Sequence, residues 1–165
     1  IRTNLAKVDS ANADFYNKNA DALVAKLKKL DAWVPQQIAT IPANQRRLVT
    51  THDALGYFAK AYGLKVEGTL VGVSTEEEPT AAKVKSLSDG IKKAKVPTIF
   101  AELTANDKVL KTVAKEANVK ISERPIVADG LGDKGTPEAT YVGMIESNTC
   151  TIVNNLGGKC TAFKP

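Results

Sequence analysis

The first part of the chain has the hydrophobic spacing of a long helix. Over residues 1 to about 43, apolar side chains recur mostly three or four positions apart, which places them on one face of an α-helix. Asp9 and Ser10 can interrupt or re-cap this helix, since either side chain can accept hydrogen bonds from a new first turn. A helix that starts at residue 1 without a cap suggests an element that extends upstream. The apolar positions are Leu5, Val8, Phe15, Tyr16, Leu23, Leu27, Leu30, Val34 and Ile38.

From Arg46 onward, short apolar runs alternate with helical patterns, which is typical of a parallel sheet covered by helices on both faces. Helices are predicted over ALGYFAKAYG, which ends at Gly63, near residues 79–95 and over about 106–117. A final helix is predicted to begin with Thr136 as N-cap and Pro137 at its first position, and to stop at Gly157 and Gly158. We therefore expect an α/β fold, a three-layer αβα sandwich with a four-stranded, mainly parallel sheet, preceded by the long helix. The predicted strands are RLVTT (47–51), TLVGVS (69–74), PTIFAEL (97–103) and KISERPIV (120–127).

Composition and charge narrow the class of protein. The 165 residues suffice for one ordinary domain, and 43% hydrophobic with 25% charged residues is typical of a globular protein. No apolar run approaches the roughly 20 residues that span a membrane. The 23 Lys and Arg are scattered among 18 acidic residues, without the clustered stripe of a nucleic-acid-binding face.

Two cysteines, Cys150 and Cys160, lie close together near the end of the sequence. An even count with no other thiol suits a disulfide in an oxidising compartment, which points outside the cytoplasm. Two reduced thiols without a role are the alternative.

Polar side chains that follow the predicted strands are the candidates for chemistry, because the carboxyl ends of parallel strands open into one crevice. His52, the only histidine, follows the first strand; Glu102 follows the third and Asp129 the fourth. An imidazole with a carboxylate suits zinc and other transition metals. Two ligands cannot complete a tetrahedral shell, so half of it would have to come from elsewhere.

Other patterns have simpler interpretations. GLGDKG, with Gly130, Gly132 and Gly135, matches a dinucleotide fingerprint, but no strand follows it, so we expect a flexible loop over the crevice. In STEEEP, a capping box is favoured over a cation patch, pairing Ser74 or Thr75 with Glu77 or Glu78. No P-loop, HExxH, CxxC or GxSxG pattern occurs. Aromatic residues are expected to pack: Tyr57, Phe58 and Tyr62 against the sheet, and Trp33 as an anchor of the long helix.

Four stretches in order, RRLVTTHDALGYFAKAYGL, GVSTEEEPTAAKV, PTIFAEL and IVADGLGDKGTPEATYVGMIESN, resemble one family. It is the cluster of solute-binding proteins of ABC importers specific for zinc, manganese or iron, often lipoproteins, whose two lobes are joined by a long rigid helix. The resemblance implies that residues 1–43 are part of this interlobe helix and that 44–165 form the C-terminal lobe, the N-terminal lobe being absent from this sequence.

The resemblance also implies a metal held between the lobes, with two His from the N-terminal lobe and with His52 and Asp129 from this one. Glu102 would be a second-shell or interlobe residue. His at position 52 favours zinc, with manganese and iron as alternatives, and we expect the isolated lobe to hold no metal. The cysteine pair is not a general feature of the family. We interpret it as a local clamp between the last helix and the tail.

The implied function is capture of a divalent metal outside the cytoplasm, in the periplasm or anchored to the outer face of a membrane, and delivery to an ABC permease. The protein would not be an enzyme. Two alternatives stay open at this point: a small α/β enzyme or flavodoxin-like signalling domain using Asp129 or Glu102 in the same crevice, and a surface adhesion protein.

Overall fold

A computed structural model describes residues 1–74, 78–103 and 107–165. Within these residues, six α-helices and four short strands follow the order expected for an α/β fold, and three 3₁₀ turns lie between them, at Ser10–Asn12, Ala43–Gln45 and Pro137–Ala139. The helices are α1 (Arg2–Val8), α2 (Ala13–Ala39), α3 (Gly56–Tyr62), α4 (Ala81–Ala94), α5 (Lys108–Ala117) and α6 (Tyr141–Asn155).

The predicted long helix is present but interrupted. The chain leaves helical geometry at Asp9, passes through the turn Ser10–Asn12 and continues as the 27-residue helix α2. Asp9 accepts hydrogen bonds from the side chains of Asn12 (2.9 Å) and Tyr16 (2.7 Å), which holds the break together. The helix ends at Ala39, a few residues earlier than its pattern predicts.

Four parallel strands form the sheet, as predicted. β1 (Arg47–Thr50) pairs with β2 (Lys65–Thr69), and β3 (Thr98–Ile99) pairs with β4 (Lys120–Ile121). A parallel bridge between Thr50 and Phe100 joins the two pairs, which gives the order β2-β1-β3-β4. The ladder between the third and fourth strands resumes at a bridge between Glu102 and Ile126, so the carboxyl ends of both segments meet at one edge.

The second strand lies earlier than predicted. The apolar run at 69–74 was expected to form it, whereas the strand is the more polar KVEGT. This strand is at the edge of the sheet and only partly buried, so it needs no continuous apolar run. Leu70 and Val71 follow it as buried residues whose N–H groups bond to the carbonyl of Thr51 at 3.1 and 3.0 Å.

Two hydrophobic cores lie on opposite faces of the sheet, which confirms the three-layer arrangement. Adjacent strand residues point to opposite sides: Leu48 and Phe100 join the core beneath α2, α3 and α6, and Val49 and Ile99 join the core beneath α4 and α5. Each face of the central strands is therefore covered by helices, and the loops at the carboxyl edge are left to carry polar groups.

Two helix starts differ from the prediction. The last helix begins at Tyr141, where the side chain of Thr140 accepts from Gly143 N at 3.2 Å; Thr136 precedes only the 3₁₀ turn Pro137–Ala139. The N-cap of α4 is Thr80, which accepts from Lys83 N at 3.2 Å. Thr80 therefore takes the role that was predicted for a capping box of Ser74 or Thr75 with Glu77 or Glu78. Of these, Thr75 and Glu77 lie outside the described residues.

The last residues form a strap along α2 and α6. A disulfide joins Cys150 of α6 to Cys160, as expected from the cysteine count. Beyond it, the N–H of Thr161 donates to the side chain of the buried Gln37 on α2 (3.0 Å). The ring of Phe163 packs edge-on against Trp33, with centroids 5.7 Å apart. Trp33 therefore anchors the long helix, as predicted.

The aromatic residues of α3 behave differently from one another. Phe58 and Tyr62 pack against the first core and against each other, with ring centroids 4.9 Å apart. Tyr57, which was predicted to pack in the same way, is 93% exposed because it lies on the outward face of this short helix. Among the described residues, no helix is long and apolar enough to cross a membrane.

Candidate metal centre

The structure brings the three predicted residues His52, Glu102 and Asp129 together at the carboxyl edge of the sheet. They follow the first, third and fourth strands, and the imidazole of His52 lies between the two carboxylates. Its Nδ1 is in direct contact with Glu102 Oε2, and its Nε2 lies 3.1 Å from Asp129 Oδ2.

His52 is fixed through its backbone as well as through its ring. Its N–H donates to Glu102 Oε1 at 2.9 Å, and its carbonyl accepts from Thr50 Oγ1 at 2.7 Å and from Ala54 N at 3.1 Å. Its side chain is 3% exposed. A residue held at its N–H, its carbonyl and its ring has little freedom to turn, so the direction of Nε2 is set before any ligand arrives.

Glu102 contacts the imidazole of His52 on its buried side, away from Asp129. Its side chain is 1% exposed, and burial raises the pKa of the carboxyl, while the N–H and imidazole of His52 work in the other direction. A carboxylate against Nδ1 favours the tautomer with its proton on that nitrogen and leaves the lone pair on Nε2. In that tautomer, Nε2 is the ring atom that could bind a metal ion.

Asp129 faces the lone pair from the solvent side. Its side chain is 53% exposed, and it lies two residues after Val127, whose backbone N–H and carbonyl are bonded to the side chain of Asn148. The GLGDKG segment leads away from it and is tied down by a bond from Gly132 N to Glu138 O (2.9 Å). A β-carbon at Gly132 would lie 2.6 Å from that of Glu138, so glycine is required for this close approach.

The spacing of the two facing atoms suits two ligands of one ion. Ligands each about 2.1 Å from a metal are about 3.0 Å apart at a right angle and about 3.4 Å apart at the tetrahedral angle. The observed 3.1 Å between His52 Nε2 and Asp129 Oδ2 falls within that interval.

These residues supply only part of a coordination shell. Across the described ranges 1–74, 78–103 and 107–165, no three His, Cys, Asp or Glu side chains are grouped so as to hold a metal ion. The reason is geometric, since Glu102 contacts the far nitrogen of the ring.

Comparison with known proteins identifies the family. The family model described as the periplasmic zinc-uptake complex component A matches residues 1–155. The chain belongs to this family. The resemblance recognised in the sequence motifs is thereby confirmed, together with the extracytoplasmic location that the family description gives.

The relatives are named for binding different metals. The chain is 38% identical to the iron-binding protein YfeA of Yersinia pestis, over 95% of this chain and 50% of that protein. It is 38% identical to the zinc-binding protein TroA of Treponema pallidum, over 93% and 51%, and 36% identical to the manganese-binding lipoprotein MntA of Bacillus subtilis, over 94% and 52%.

The fold agrees with this assignment. The solved periplasmic zinc-binding protein TroA of Treponema pallidum superposes with a TM-score of 0.87 at 37% identity, covering 94% of this chain and 57% of that one. The chain spans about half the length of the curated relatives that it matches. The relatives are metal-binding transport components, so the similarity fits neither the small-enzyme or signalling alternative nor adhesion.

Sequence reasoning found the three charged or imidazole side chains but missed the neutral residues that orient them. Thr50, whose hydroxyl holds the carbonyl of His52, looked like an ordinary strand residue. Asn148, whose amide bonds to the strand before Asp129, lies inside an otherwise apolar helical run. The available signal was a polar residue on the buried face of a predicted helix, because a buried amide needs hydrogen-bond partners.

Proposed function

We propose that this chain is the C-terminal lobe of a solute-binding protein that captures a divalent transition metal and delivers it to an ABC permease. Residues 44–165 form the lobe, and 1–43 belong to the helix that connects it to a second lobe. His52 and Asp129 are its share of the metal ligands, and Glu102 orients His52.

One observation carries the proposal: His52 Nε2 lies 3.1 Å from an oxygen of Asp129, while Nδ1 contacts Glu102 on the other side of the ring. A buried imidazole backed by a carboxylate is the usual outer support of a metal-binding histidine. Two ligands leave the remaining positions of the ion to another protein segment.

The surface around this pair favours such a second segment. Large apolar side chains are exposed in the described parts of the segments that follow the carboxyl ends of the strands: Tyr57 at the start of α3, and Val73, Leu103 and Leu131. Exposed apolar groups gathered around a polar site are typical of a surface that another protein body covers. We therefore place the second lobe against this apolar rim, opposite His52 and Asp129.

The long helix supports the same arrangement. Its last third is buried through Leu30, Val34 and Ile38. The earlier apolar positions of the predicted stripe, Leu5, Val8, Phe15 and Leu23, are exposed. A helix that packs at one end and presents apolar groups at the other suits a connection between two bodies.

Zinc is the metal that we favour. Zn²⁺ accepts mixed nitrogen and oxygen ligands in a tetrahedral shell, and a histidine that is fixed before binding suits that geometry. The named relatives include iron-, zinc- and manganese-binding proteins, so the family alone does not select the metal.

Elemental analysis tests both the function and the metal. The two-lobe protein, purified without chelator, should carry about one equivalent of zinc, and a variant with His52→Ala should carry much less. Manganese or iron in place of zinc would overturn the choice of metal and leave the function standing. A two-lobe protein that neither retains nor takes up any of the three metals would overturn the function.

A further inference from the structure

We propose that Asn148, on α6, is a positioning residue for the metal ligand Asp129. Its side-chain amide forms, with the backbone just before Asp129, the hydrogen bonds that a neighbouring strand would form. This inference rests on the proposed function, because it assigns Asn148 a part in the same site. The side chain does not itself touch the half-site, and the residue lies in an element that no strand-end argument would include.

The carboxamide bonds to one residue through both of its ends. Its Oδ1 accepts from Val127 N at 2.9 Å, and its Nδ2 donates to Val127 O at 2.7 Å. The second amide hydrogen is directed at Met144 Sδ, 3.4 Å away. Because Val127 offers one donor and one acceptor, this pairing also fixes which end of the amide is oxygen.

The preceding residue is held from the other side. Ile126 N donates to Ala101 O at 2.9 Å, and Ile126 O accepts from Leu103 N at 2.9 Å. In a strand, successive residues direct their backbone groups to opposite edges. Ile126 therefore uses the edge next to the third strand, and Val127 uses the outer edge, where Asn148 takes the place of a fifth strand.

This clamp lies two residues before Asp129, which follows Ala128 directly. The Asn148 residue is only 5% exposed, and Val127 is also buried. Water is therefore poorly placed to replace the amide, and losing it would leave a buried N–H and a buried carbonyl without partners. The chain would relieve that cost by shifting, and Asp129 would move with it.

Other contacts of the segment do not duplicate the clamp. The nearest backbone bond after Asp129 that we find in the described residues joins Gly132 to Glu138. The carboxylate of Asp129, 53% exposed, meets His52 Nε2 but has little packing of its own. Its position thus depends on the backbone before it.

Amide hydrogen exchange on the 165-residue chain tests the clamp without any metal. In the unmodified chain, the amide of Val127 should be protected about as well as that of Ile126. In an Asn148→Ala variant, exchange at residues 127–131 should accelerate at least tenfold more than in Val153→Ala, a cavity variant of the same helix that leaves Val127 untouched. An unprotected Val127 amide, or equal exchange in the two variants, would overturn the proposal.

Metal binding by the two-lobe protein separates this inference from the function. Asn148→Ala should bind zinc about tenfold more weakly than Val153→Ala. If both variants bind equally and the unmodified protein binds metal, the positioning role is wrong and the function stands. If the unmodified protein binds no metal, the function fails, and the exchange measurement still decides whether Asn148 fixes this segment. Should Asn148→Ala not fold, protection of the Val127 amide in the unmodified chain remains the deciding result.

Discussion

The two candidate ligands of this lobe are held in opposite ways. His52 is buried, bonded at its N–H, its carbonyl and its ring, and directed by the buried Glu102. Asp129 is more than half exposed, and its carboxylate lies 3.1 Å from His52 Nε2. One ligand is built into the sheet, and the other stands at the mouth of the site on backbone that its neighbours hold.

This difference suggests how a carrier can both capture and release its cargo. A fixed imidazole loses little conformational entropy on binding, which favours affinity. An exposed carboxylate can exchange its partner for water at low cost, which favours release. Variants of the two arms should therefore differ in stability as well as in affinity.

The largest effect is expected for His52→Ala. In the two-lobe protein it should weaken zinc binding by about 100-fold or more, because it removes a ligand and its preset direction. It should also lower the free energy of unfolding by about 1 to 3 kcal/mol, since the buried Glu102 loses its partner. Competition calorimetry and urea unfolding measure the two quantities. Asp53→Asn, next to it and exposed, is the matched control, and equal affinities for both variants would remove His52 from the site.

Asp129→Ala should affect affinity without affecting stability. We expect zinc binding about 30-fold weaker, on the scale of losing one carboxylate ligand with water in its place. The free energy of unfolding should change by less than about 0.5 kcal/mol, because the side chain is largely exposed. Asp133→Ala in the same loop serves as the control. A stability loss as large as that of His52→Ala would break the contrast between the two arms.

Glu102→Gln tests whether the histidine is directed from behind. The amide keeps the shape of the side chain but can offer an N–H to Nδ1, which would place the imidazole proton on Nε2 and hinder metal binding. Zinc affinity should fall about tenfold. The same substitution at Glu67 is the control. Glu67 lies on the edge strand β2, where it pairs with Arg47 and Lys65, and its replacement should leave zinc affinity unchanged. Equal affinities for the two variants would make Glu102 a packing residue.

The smallest effect on metal binding is expected from opening the disulfide. Cys150→Ser with Cys160→Ser should lower the free energy of unfolding by about 2 to 3 kcal/mol, because it frees the tail strap. The fluorescence of Trp33, which packs on Phe163, should report the loss. Affinity should change less than twofold, since the strap contacts Gln37 and Thr40 at the end of the long helix and Glu146 of α6, and none of these residues is a proposed ligand. A tenfold loss would show that the strap reaches the site.

The sequence was a good guide where burial and periodicity coincide. The first strand, with Leu48 and Val49 both fully buried, reads as an apolar run and was placed correctly. The second strand was predicted too late in the sequence. An edge strand such as Lys65–Thr69 tolerates polar residues, because its burial depends on the elements packed against it. His52 and Asp129 were found because strand ends in parallel sheets are predictable positions for chemistry.

Contacts across the fold were not predictable in the same way. That Glu102 would contact Nδ1 and that Asp129 would face Nε2 depends on how the ends of separate strands are aligned, which no single segment encodes. The exposure of Tyr57 depends on how the short helix α3 is rotated against the sheet. Thr140 replaced Thr136 as the cap of the last helix because a 3₁₀ turn separates the two, and the sequence pattern does not distinguish that turn from a first helical turn.

Zinc titration of the 165-residue chain beside the two-lobe protein tests the central claim most directly, that His52 and Asp129 are part of a shared site. The account predicts about one zinc bound tightly by the two-lobe protein, and binding at least 100-fold weaker by the isolated chain, which has two ligands to offer. Equally tight, stoichiometric zinc in the isolated chain would contradict the shared site.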